Sequence, residues 1–290
     1  MKKALLFEKL VDEKIRCAVC STRCMIAPGK RGICGVRENR DGELYSLNYG
    51  KTIAVHIDPI EKKPLYHFMP GTRTYSFAAA GCNFRCLWCQ NWEISQCPKP
   101  DKPVEGIEIS PAEHVDRAIK SRCPSISYTY SEPTIFLEYA LDTMKLANEK
   151  GLKNIWVTNG YMTTETLDLI VPYLDAANVD FKGANHGVYE KYCGGKVEPI
   201  METLKYLKKA GIHTEITTLI VPSVNDRPED LEYIADFIAS KLGREVPWHV
   251  SRFFPAWKMI NTPVTPLGTL EMARKTAEKA GLKYIHIGNV

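Results

Sequence analysis

The sequence predicts an α/β fold in which a parallel sheet is covered by helices. From Thr74 onward, apolar runs of strand length alternate with amphipathic helical segments, and this alternation occurs six times. Alternating strand and helix patterns are typical of a parallel sheet with helices packed outside it. Six repeats are too few for a closed eight-fold barrel. We therefore expect a parallel sheet smaller than that barrel.

The composition of the 290-residue chain is that of an ordinary soluble globular protein, with 44% hydrophobic and 25% charged residues. The net charge of +4 is slight and no run of five or six basic residues occurs, so we expect no nucleic-acid partner. No apolar stretch reaches about 18 residues, so we expect no membrane span. The first residues, MKKALLFEKLVDEK, lack the long apolar core of a signal peptide, which favours a cytoplasmic protein.

The first part of the chain differs from the rest in its four cysteines and its turn-forming stretches APGKRG and RDGE. We predict a small, irregular, Cys-rich N-terminal module over residues 1–73 and a barrel over residues 74–290. The alternative for the first segment is a loop-rich extension that covers one end of the barrel.

The four cysteines of this module follow the spacing Cys-x2-Cys-x3-Cys-x9-Cys, at Cys17, Cys20, Cys24 and Cys34. This spacing suits zinc or a second iron–sulfur cluster, and disulfides or free thiols are the alternatives. Three further cysteines stand alone in the sequence, and we expect them to be small buried hydrophobic residues: Cys97, Cys123 and Cys193.

The barrel strands are predicted from apolar runs at Thr74–Ala80, Ser125–Tyr130, Asn154–Asn159, Ala176–Lys182, His213–Ile220 and Val246–Phe253, with a shorter run, KYIHI, near the chain end. Helical patterns lie between them, and PTIFLEYALDTMKLANEKG ends on Gly151 as a helix stop. In parallel barrels the reactive groups lie at the carboxyl ends of the strands. The functional site is therefore expected where these runs end.

Three cysteines follow directly on the first barrel strand, at Cys82, Cys86 and Cys89 in GCNFRCLWCQN. Three thiolates this close together suit a 4Fe–4S cluster, which is normally held by cysteines. Three protein ligands leave one iron free to bind a substrate or a second cofactor. The alternative is a structural zinc site with Cys97 as its fourth ligand, although such sites usually combine two Cys or His pairs.

Polar residues also follow the second, third and fourth barrel strands. The second ends in YTYSEPT, with Ser131 and Glu132, and the third ends in TNG, with Asn159. The fourth ends in VDFKG, where Asp180 and Lys182 share a face because strand side chains alternate. This pair predicts either contacts with polar groups of a cofactor or an ion pair at the barrel rim.

The run GCNFRCLWC resembles the cluster motif of the radical SAM enzymes. GCNFRCLWC, YSEPT, VTNGY and VDFKG also occur in the order seen in the pyruvate formate-lyase activating enzyme group. The resemblance implies the partial, open (β/α)6 barrel of that superfamily. The stretches CAVCSTRC, GKRGICGVRENRDGELYSLNYG and DPIEKKPLYHFMPG are similar to radical SAM proteins of the AmmeMemoRadiSam system.

This resemblance implies a 4Fe–4S cluster held by Cys82, Cys86 and Cys89, with S-adenosylmethionine bound at the open iron. It also implies contacts with S-adenosylmethionine from Trp88, Gln90, Ser131, Glu132, Asn159, Asp180 and Lys182. Reductive cleavage of S-adenosylmethionine then yields a 5′-deoxyadenosyl radical that abstracts hydrogen from a substrate. The electron comes from a reductant such as flavodoxin or ferredoxin.

The implied reaction is the activation of a glycyl radical protein. The chain departs from that group in carrying Ser-Glu-Pro where Gly-Gly-Glu-Pro is common, and Ala256–Trp257 where a His often stands after the sixth strand. Radical modification of a different protein or of a small molecule is therefore an alternative. A zinc-binding module without catalysis is the other alternative.

Overall fold

An eight-stranded sheet organises the computed structural model, which describes residues 1–183 and 186–290. Within these residues the strands are β1 (Lys2–Lys3), β2 (Phe7–Lys9), β3 (Ile15–Cys17), β4 (Met25–Ile26), β5 (Arg37–Arg40), β6 (Glu43–Ser46), β7 (Lys51–Thr52), β8 (Ala54–Pro59), β9 (Arg73–Ala78), β10 (Ile107–Glu108), β11 (Ser125–Tyr128), β12 (Lys153–Thr158), β13 (Ala176–Asp180), β14 (His213–Ile220), β15 (Trp248–Arg252) and β16 (Ile285–Gly288). The helices are α1 (Trp92–Ser95), α2 (Pro111–Lys120), α3 (Leu137–Glu149), α4 (Thr164–Ile170), α5 (His186–Val188), α6 (Glu198–Lys209), α7 (Pro228–Phe237) and α8 (Leu267–Lys279).

The large sheet has the order β16-β15-β14-β13-β12-β11-β9-β8. Its neighbouring strands from β9 to β16 are parallel, and β8 pairs with β9 in the antiparallel direction. Among the described residues β8 and β16 are the two edges of the sheet and do not pair with each other. The barrel is therefore open, and the predicted partial barrel is confirmed.

The predicted barrel strands overlap the observed strands, and His213–Ile220 has the same bounds in both. The predicted helix stop is also confirmed, because α3 ends at Glu149 and Gly151 follows with a φ of 74°. A positive φ favours glycine, which has no Cβ to clash with the backbone. Across residues 1–183 and 186–290, no helix combines the length and the apolar character that crossing a bilayer requires.

The first part of the chain forms small antiparallel sheets, with the orders β2-β3-β4 and β1-β6-β5. It also supplies β8, which lies before residue 74 and pairs along its whole length with β9. The N-terminal segment thus adds an edge strand to the barrel sheet. The division of the chain at residue 73 stays a prediction.

A buried ion pair joins the N-terminal sheets to the barrel. The guanidinium of Arg37 on β5 donates to both carboxylate oxygens of Glu138 on α3, at 3.1 and 2.7 Å. Both side chains are almost fully buried, and the amide of Leu5 also donates to Glu138 at 3.1 Å. A buried pair gains from its own attraction only when its geometry is good, and removing one partner leaves a buried charge unpaired. This contact therefore fixes the position of β5 on α3.

A second buried carboxylate closes the amino-terminal end of the sheet. Glu215 on β14 accepts hydrogen bonds from the backbone amides of Tyr66 and His67, at 3.0 and 2.8 Å. The rings of His213 and His249 contact the same carboxylate at 3.0 and 2.6 Å. Burial alone would raise the pKa of Glu215, but these hydrogen bonds hold it well below its ordinary value. The segment before β9 is thereby fixed against the sheet.

Replacing Glu215 with Gln is expected to lower the free energy of unfolding by about 2–4 kcal/mol, because the new amide nitrogen faces groups that are themselves donors. Urea unfolding under anaerobic conditions measures this loss. The matched control is Glu202→Gln on the exposed side of α6, where Glu202 pairs with Lys205. Equal stability of the two variants would contradict the role given to Glu215.

The wild type and Glu215→Gln also test how the stability of the fold depends on pH. The pKa of Glu215 is lower in the folded chain than in the unfolded chain, so its ionised form stabilises the fold above the unfolded value of about 4.3. That contribution is lost as the pH falls toward the depressed folded pKa. The stability difference between the wild type and Glu215→Gln should therefore be full at pH 7 and shrink below about pH 4.

Candidate active site

A cavity of about 310 Å³ opens where the parallel strands end. Its walls come from the segments that follow β9, β11, β12 and β13, with further residues from β14 and β15. This edge of a parallel barrel is where loops bring reactive groups together. The structure brings all ten residues predicted for the site to this cavity: Cys82, Cys86, Trp88, Cys89, Gln90, Ser131, Glu132, Asn159, Asp180 and Lys182.

The loop that carries the three cysteines is held by backbone hydrogen bonds. The amides of Arg85 and Leu87 donate to the carbonyl oxygens of Cys193 and Tyr192, at 2.7 and 2.9 Å. The amide of Phe84 donates to the sulfur of Cys82 at 3.4 Å. These contacts fix the loop against the π-helical segment Tyr189–Cys193 that follows α5, and the three thiols face one cavity.

The chemistry of these three thiols fits an iron–sulfur cluster. None of them forms a disulfide. Burial raises the pKa of Cys82 and Cys89, so these thiols hold their protons until a metal displaces them. Within residues 1–183 and 186–290, no three His, Cys, Asp or Glu side chains are gathered as for one metal ion. Three soft sulfur donors spread along one wall match the ligands that a 4Fe–4S cluster takes.

Cys97 does not join this wall. The zinc alternative makes it a fourth ligand, but Cys97 is absent from the cavity lining and its thiol donates to the carbonyl of Ile94 at 3.3 Å.

The expectation that Cys193 is simply a small buried residue was incomplete. It is fully buried, as predicted, but it lies beside Cys86, and this neighbour together with burial raises the pKa of Cys86. No spacing rule in the sequence connects these two residues.

Glu132 is a buried carboxylate that joins the ends of β11 and β12. Its oxygens accept hydrogen bonds from the amide and hydroxyl of Thr134, at 3.1 and 2.6 Å. They also accept from the Thr158 hydroxyl at 2.6 Å and from the Asn159 amide at 2.8 Å. Burial raises the pKa of Glu132 and these donors oppose the rise. Because protein donors surround the carboxylate, its direct contact with S-adenosylmethionine stays a prediction.

The amide groups beside Glu132 connect it to the cysteine loop. The side chain of Asn159 donates to the side-chain oxygen of Asn83 at 2.7 Å and accepts from the amide of Tyr161 at 2.9 Å. The Ser131 hydroxyl also has a partner within the protein, because it donates to the carbonyl of Ala79 at 2.6 Å. Asn159 thus lies between Glu132 and the residue that follows Cys82.

Asp180 and Lys182 form the ion pair that the sequence offered as one of two possibilities, at 2.8 Å. Burial opposes the charge of Lys182, but Asp180, Cys86 and Cys193 together raise its pKa well above the ordinary value. Lys182 is therefore a cation held beside the cysteine loop. Whether this pair also contacts S-adenosylmethionine stays a prediction, since both residues line the cavity.

One aromatic and one amide side chain, Trp88 and Gln90, complete the set of residues predicted for the site. Trp88 is buried, and its ring lies 5.9 Å from that of Tyr192. Gln90 is exposed at the cavity wall. Sequence reasoning did not select Tyr192, whose ring packs against that of Trp88.

Sequence reasoning also missed a buried lysine from the N-terminal segment. Lys63 lines the cavity and its ammonium group lies 2.6 Å from Asp58 and 4.2 Å from the centre of the Tyr130 ring. Burial lowers its pKa, against the raising effect of Asp58. Lys63 and Asp58 both lie in the stretch DPIEKKPLYHFMPG. An Asp and a Lys in one short segment could have indicated an ion pair there.

Comparison with known proteins agrees with this geometry. Residues 78–238 match the Radical SAM superfamily. The chain is 50% identical to an uncharacterized protein, MJ0808, of Methanocaldococcus jannaschii, over 100% of this chain and 86% of that protein. It is 24% identical to the pyruvate formate-lyase-activating enzyme of Clostridium pasteurianum, over 58% of this chain and 70% of that enzyme.

The fold resembles a solved structure as well. A radical SAM methyltransferase from Sphaerobacter thermophilus aligns with a TM-score of 0.58 and 14% identity, over 76% of this chain and 67% of that protein. At this identity the likeness shows the fold alone. It agrees with the open barrel described above, and the resemblance drawn from the cysteine motif is confirmed.

Replacing Glu132 with Gln is expected to lower the free energy of unfolding by about 1–3 kcal/mol, because the amide nitrogen faces donors where the carboxylate accepted. Urea unfolding of the metal-free protein measures this, so that cofactor loss does not enter the result. Glu149→Gln, at the exposed end of α3, is the matched control. A Glu132→Gln variant as stable as its control would show that the carboxylate does not join β11 to β12.

Proposed function

The chain belongs to the radical SAM superfamily, whose members use a 4Fe–4S cluster and S-adenosylmethionine, and we propose that it abstracts hydrogen from a backbone glycine of another protein. The observation that carries the proposal is the cavity in which the thiols of Cys82, Cys86 and Cys89 meet polar groups from three further strand ends. The similarity to a pyruvate formate-lyase-activating enzyme supports a protein substrate.

In this proposal Cys82, Cys86 and Cys89 would hold the cluster, which would supply the electron that cleaves S-adenosylmethionine to methionine and a 5′-deoxyadenosyl radical. The chain's residues bind and orient: Trp88 forms an apolar wall, and Asp180 and Lys182 present opposite charges to the polar groups of S-adenosylmethionine. Glu132 keeps Asn159 in place.

The size of the cavity supports a substrate that binds at its mouth. About 310 Å³ is the low end of the range for a pocket that holds one small molecule. The cluster and S-adenosylmethionine together would fill this space, so a loop of a protein substrate would reach the mouth from outside. Next to the cavity-lining Asn91, the rings of Trp92 and Trp257 stack at 6.3 Å, and aromatic residues of this kind are enriched at protein interfaces.

A second candidate is radical modification at a different position of a protein or in a small molecule. The observation that favours it is the departure from the activating-enzyme pattern, with Ser131 and Glu132 in place of a Gly-Gly-Glu segment. The electron donor is a separate part of the proposal. Superfamily members need a reductant and a substrate, and we propose flavodoxin or ferredoxin as the reductant. We also propose a cytoplasmic location, because clustered cysteines in a reducing compartment more often bind metal or carry out redox chemistry than form disulfides.

Replacing Cys86 with Ala is expected to abolish 5′-deoxyadenosine formation, because the cluster loses one of its three ligands. The measurement uses protein reconstituted anaerobically with iron and sulfide, reduced with dithionite, mixed with S-adenosylmethionine and analysed by chromatography. Cys123→Ala is the control, because Cys123 is a buried cysteine outside the cavity. Unchanged product formation in Cys86→Ala would rule out this ligand assignment.

The glycine proposal is tested by deuterium transfer. A dialysed protein fraction from cells grown on α-deuterated glycine is added to the reduced enzyme with S-adenosylmethionine, and the 5′-deoxyadenosine is analysed by mass spectrometry. Deuterium in the product is expected. Product whose formation depends on the protein fraction but contains no deuterium would exclude glycine and favour the second candidate.

A further inference from the structure

A second enclosed space lies in the N-terminal part of the chain, outside the candidate active site. Its lining includes all four cysteines of the first 73 residues, which are Cys17, Cys20, Cys24 and Cys34. The remaining lining is glycine and aliphatic side chains, apart from one charged residue, Arg37. Four thiols that meet in one small apolar space are a strong indication of a metal centre.

Local structure accounts for the convergence of these thiols. Cys17 ends β3, and its amide donates to the carbonyl of Cys24 at 2.9 Å. Between them the chain turns, and the amide of Arg23 donates to the carbonyl of Cys20 at 3.0 Å. Cys34 comes from the next turn, before β5. None of the four is in a disulfide, so the disulfide alternative raised by the sequence is absent from this structure.

The arrangement of the thiols distinguishes the kinds of metal centre. One structural zinc would need all four sulfurs at about 2.3 Å from a single point. In the part of the chain that the structure describes, no three Cys, His, Asp or Glu side chains are gathered as for one metal ion, and this holds for these four thiols as it does for those of the candidate active site. Thiols that line one space without closing on a single ion match a 4Fe–4S cluster, in which each cysteine binds a different iron.

Arg37 gives a second, independent indication. Its terminal nitrogens bind Glu138, but its Nε, in a side chain 1% exposed, has no hydrogen-bond partner in the part of the chain that the structure describes. A free N–H group beside four thiols is arranged to receive an anionic group, and a cluster with four thiolate ligands is anionic.

We propose that Cys17, Cys20, Cys24 and Cys34 hold a second 4Fe–4S cluster, separate from the one assigned to the barrel. Its four cysteine ligands cap every iron, so this cluster binds no S-adenosylmethionine. A closed cluster of this kind stabilises the short N-terminal strands and exchanges single electrons.

The two loops that carry the cysteine sets lie against each other. Gly81, just before Cys82, has a φ of 107°, and a β-carbon there would lie 2.9 Å from the carbonyl oxygen of Cys34. The guanidinium of Arg85 donates to the carbonyl of Cys82 at 2.9 Å and also to that of Ile33. The second cluster therefore packs directly behind the loop that carries the first cysteine set.

The test uses a variant in which the barrel cysteines are removed, Cys82→Ala with Cys86→Ala and Cys89→Ala. After anaerobic reconstitution with iron and sulfide, we expect about four iron and four sulfide per chain in this variant, against about eight of each in the wild type. The electron paramagnetic resonance spectrum of the reduced variant should show one 4Fe–4S cluster that is unchanged by S-adenosylmethionine.

Two further variants complete the test. Adding Cys20→Ser and Cys24→Ser to the triple variant should reduce iron to near zero, whereas adding Cys97→Ser and Cys123→Ser should leave about four iron per chain. Iron and zinc are measured together in every sample. An iron-free triple variant with one zinc per chain, or with no metal, overturns the proposal even if the wild type still cleaves S-adenosylmethionine at the barrel site.

Discussion

The parallel alignment of β9 and of β11 to β16 in the large sheet is the constraint on which the site depends. Because these strands run in one direction, their carboxyl ends lie at one edge of the sheet, and the segments that follow them meet there. The cysteine loop after β9 faces Glu132 after β11, Asn159 after β12 and Asp180 at the end of β13. Residues far apart in the chain thereby line a single cavity.

Three buried carboxylates hold the segments around the sheet in their positions. Glu215 fixes the segment before β9 at the amino-terminal end of the sheet, and Glu132 joins β11 to β12 at the opposite end. Glu138 anchors the N-terminal sheets through Arg37. Each of the three is surrounded by donors, which is what makes a buried charge tolerable in a folded chain. Together they hold the segments that form the cavity walls, and Glu132 itself lines the cavity.

The N-terminal segment has a larger part in the site than its irregular sequence indicates. It provides the edge strand β8, the buried Lys63 at the cavity wall and the four-thiol space behind Gly81. Arg37 lines that space and also binds α3 of the barrel. One buried guanidinium thus connects the proposed second cluster with the barrel that carries the first, and the N-terminal segment and the barrel share their interior.

By itself the sequence determined the alternation of strands and helices and the three-cysteine motif, because these depend on local periodicity and on short spacings. The open barrel followed from the resemblance that the cysteine motif carries. The sequence also indicated the polar strand ends, since a parallel sheet brings them to one edge. Only the tertiary structure decided which side chains meet across long separations. The contact of Cys193 with Cys86, the entry of Lys63 into the cavity and the saturation of Glu132 by its neighbours all arise from packing between distant segments, which no local pattern records.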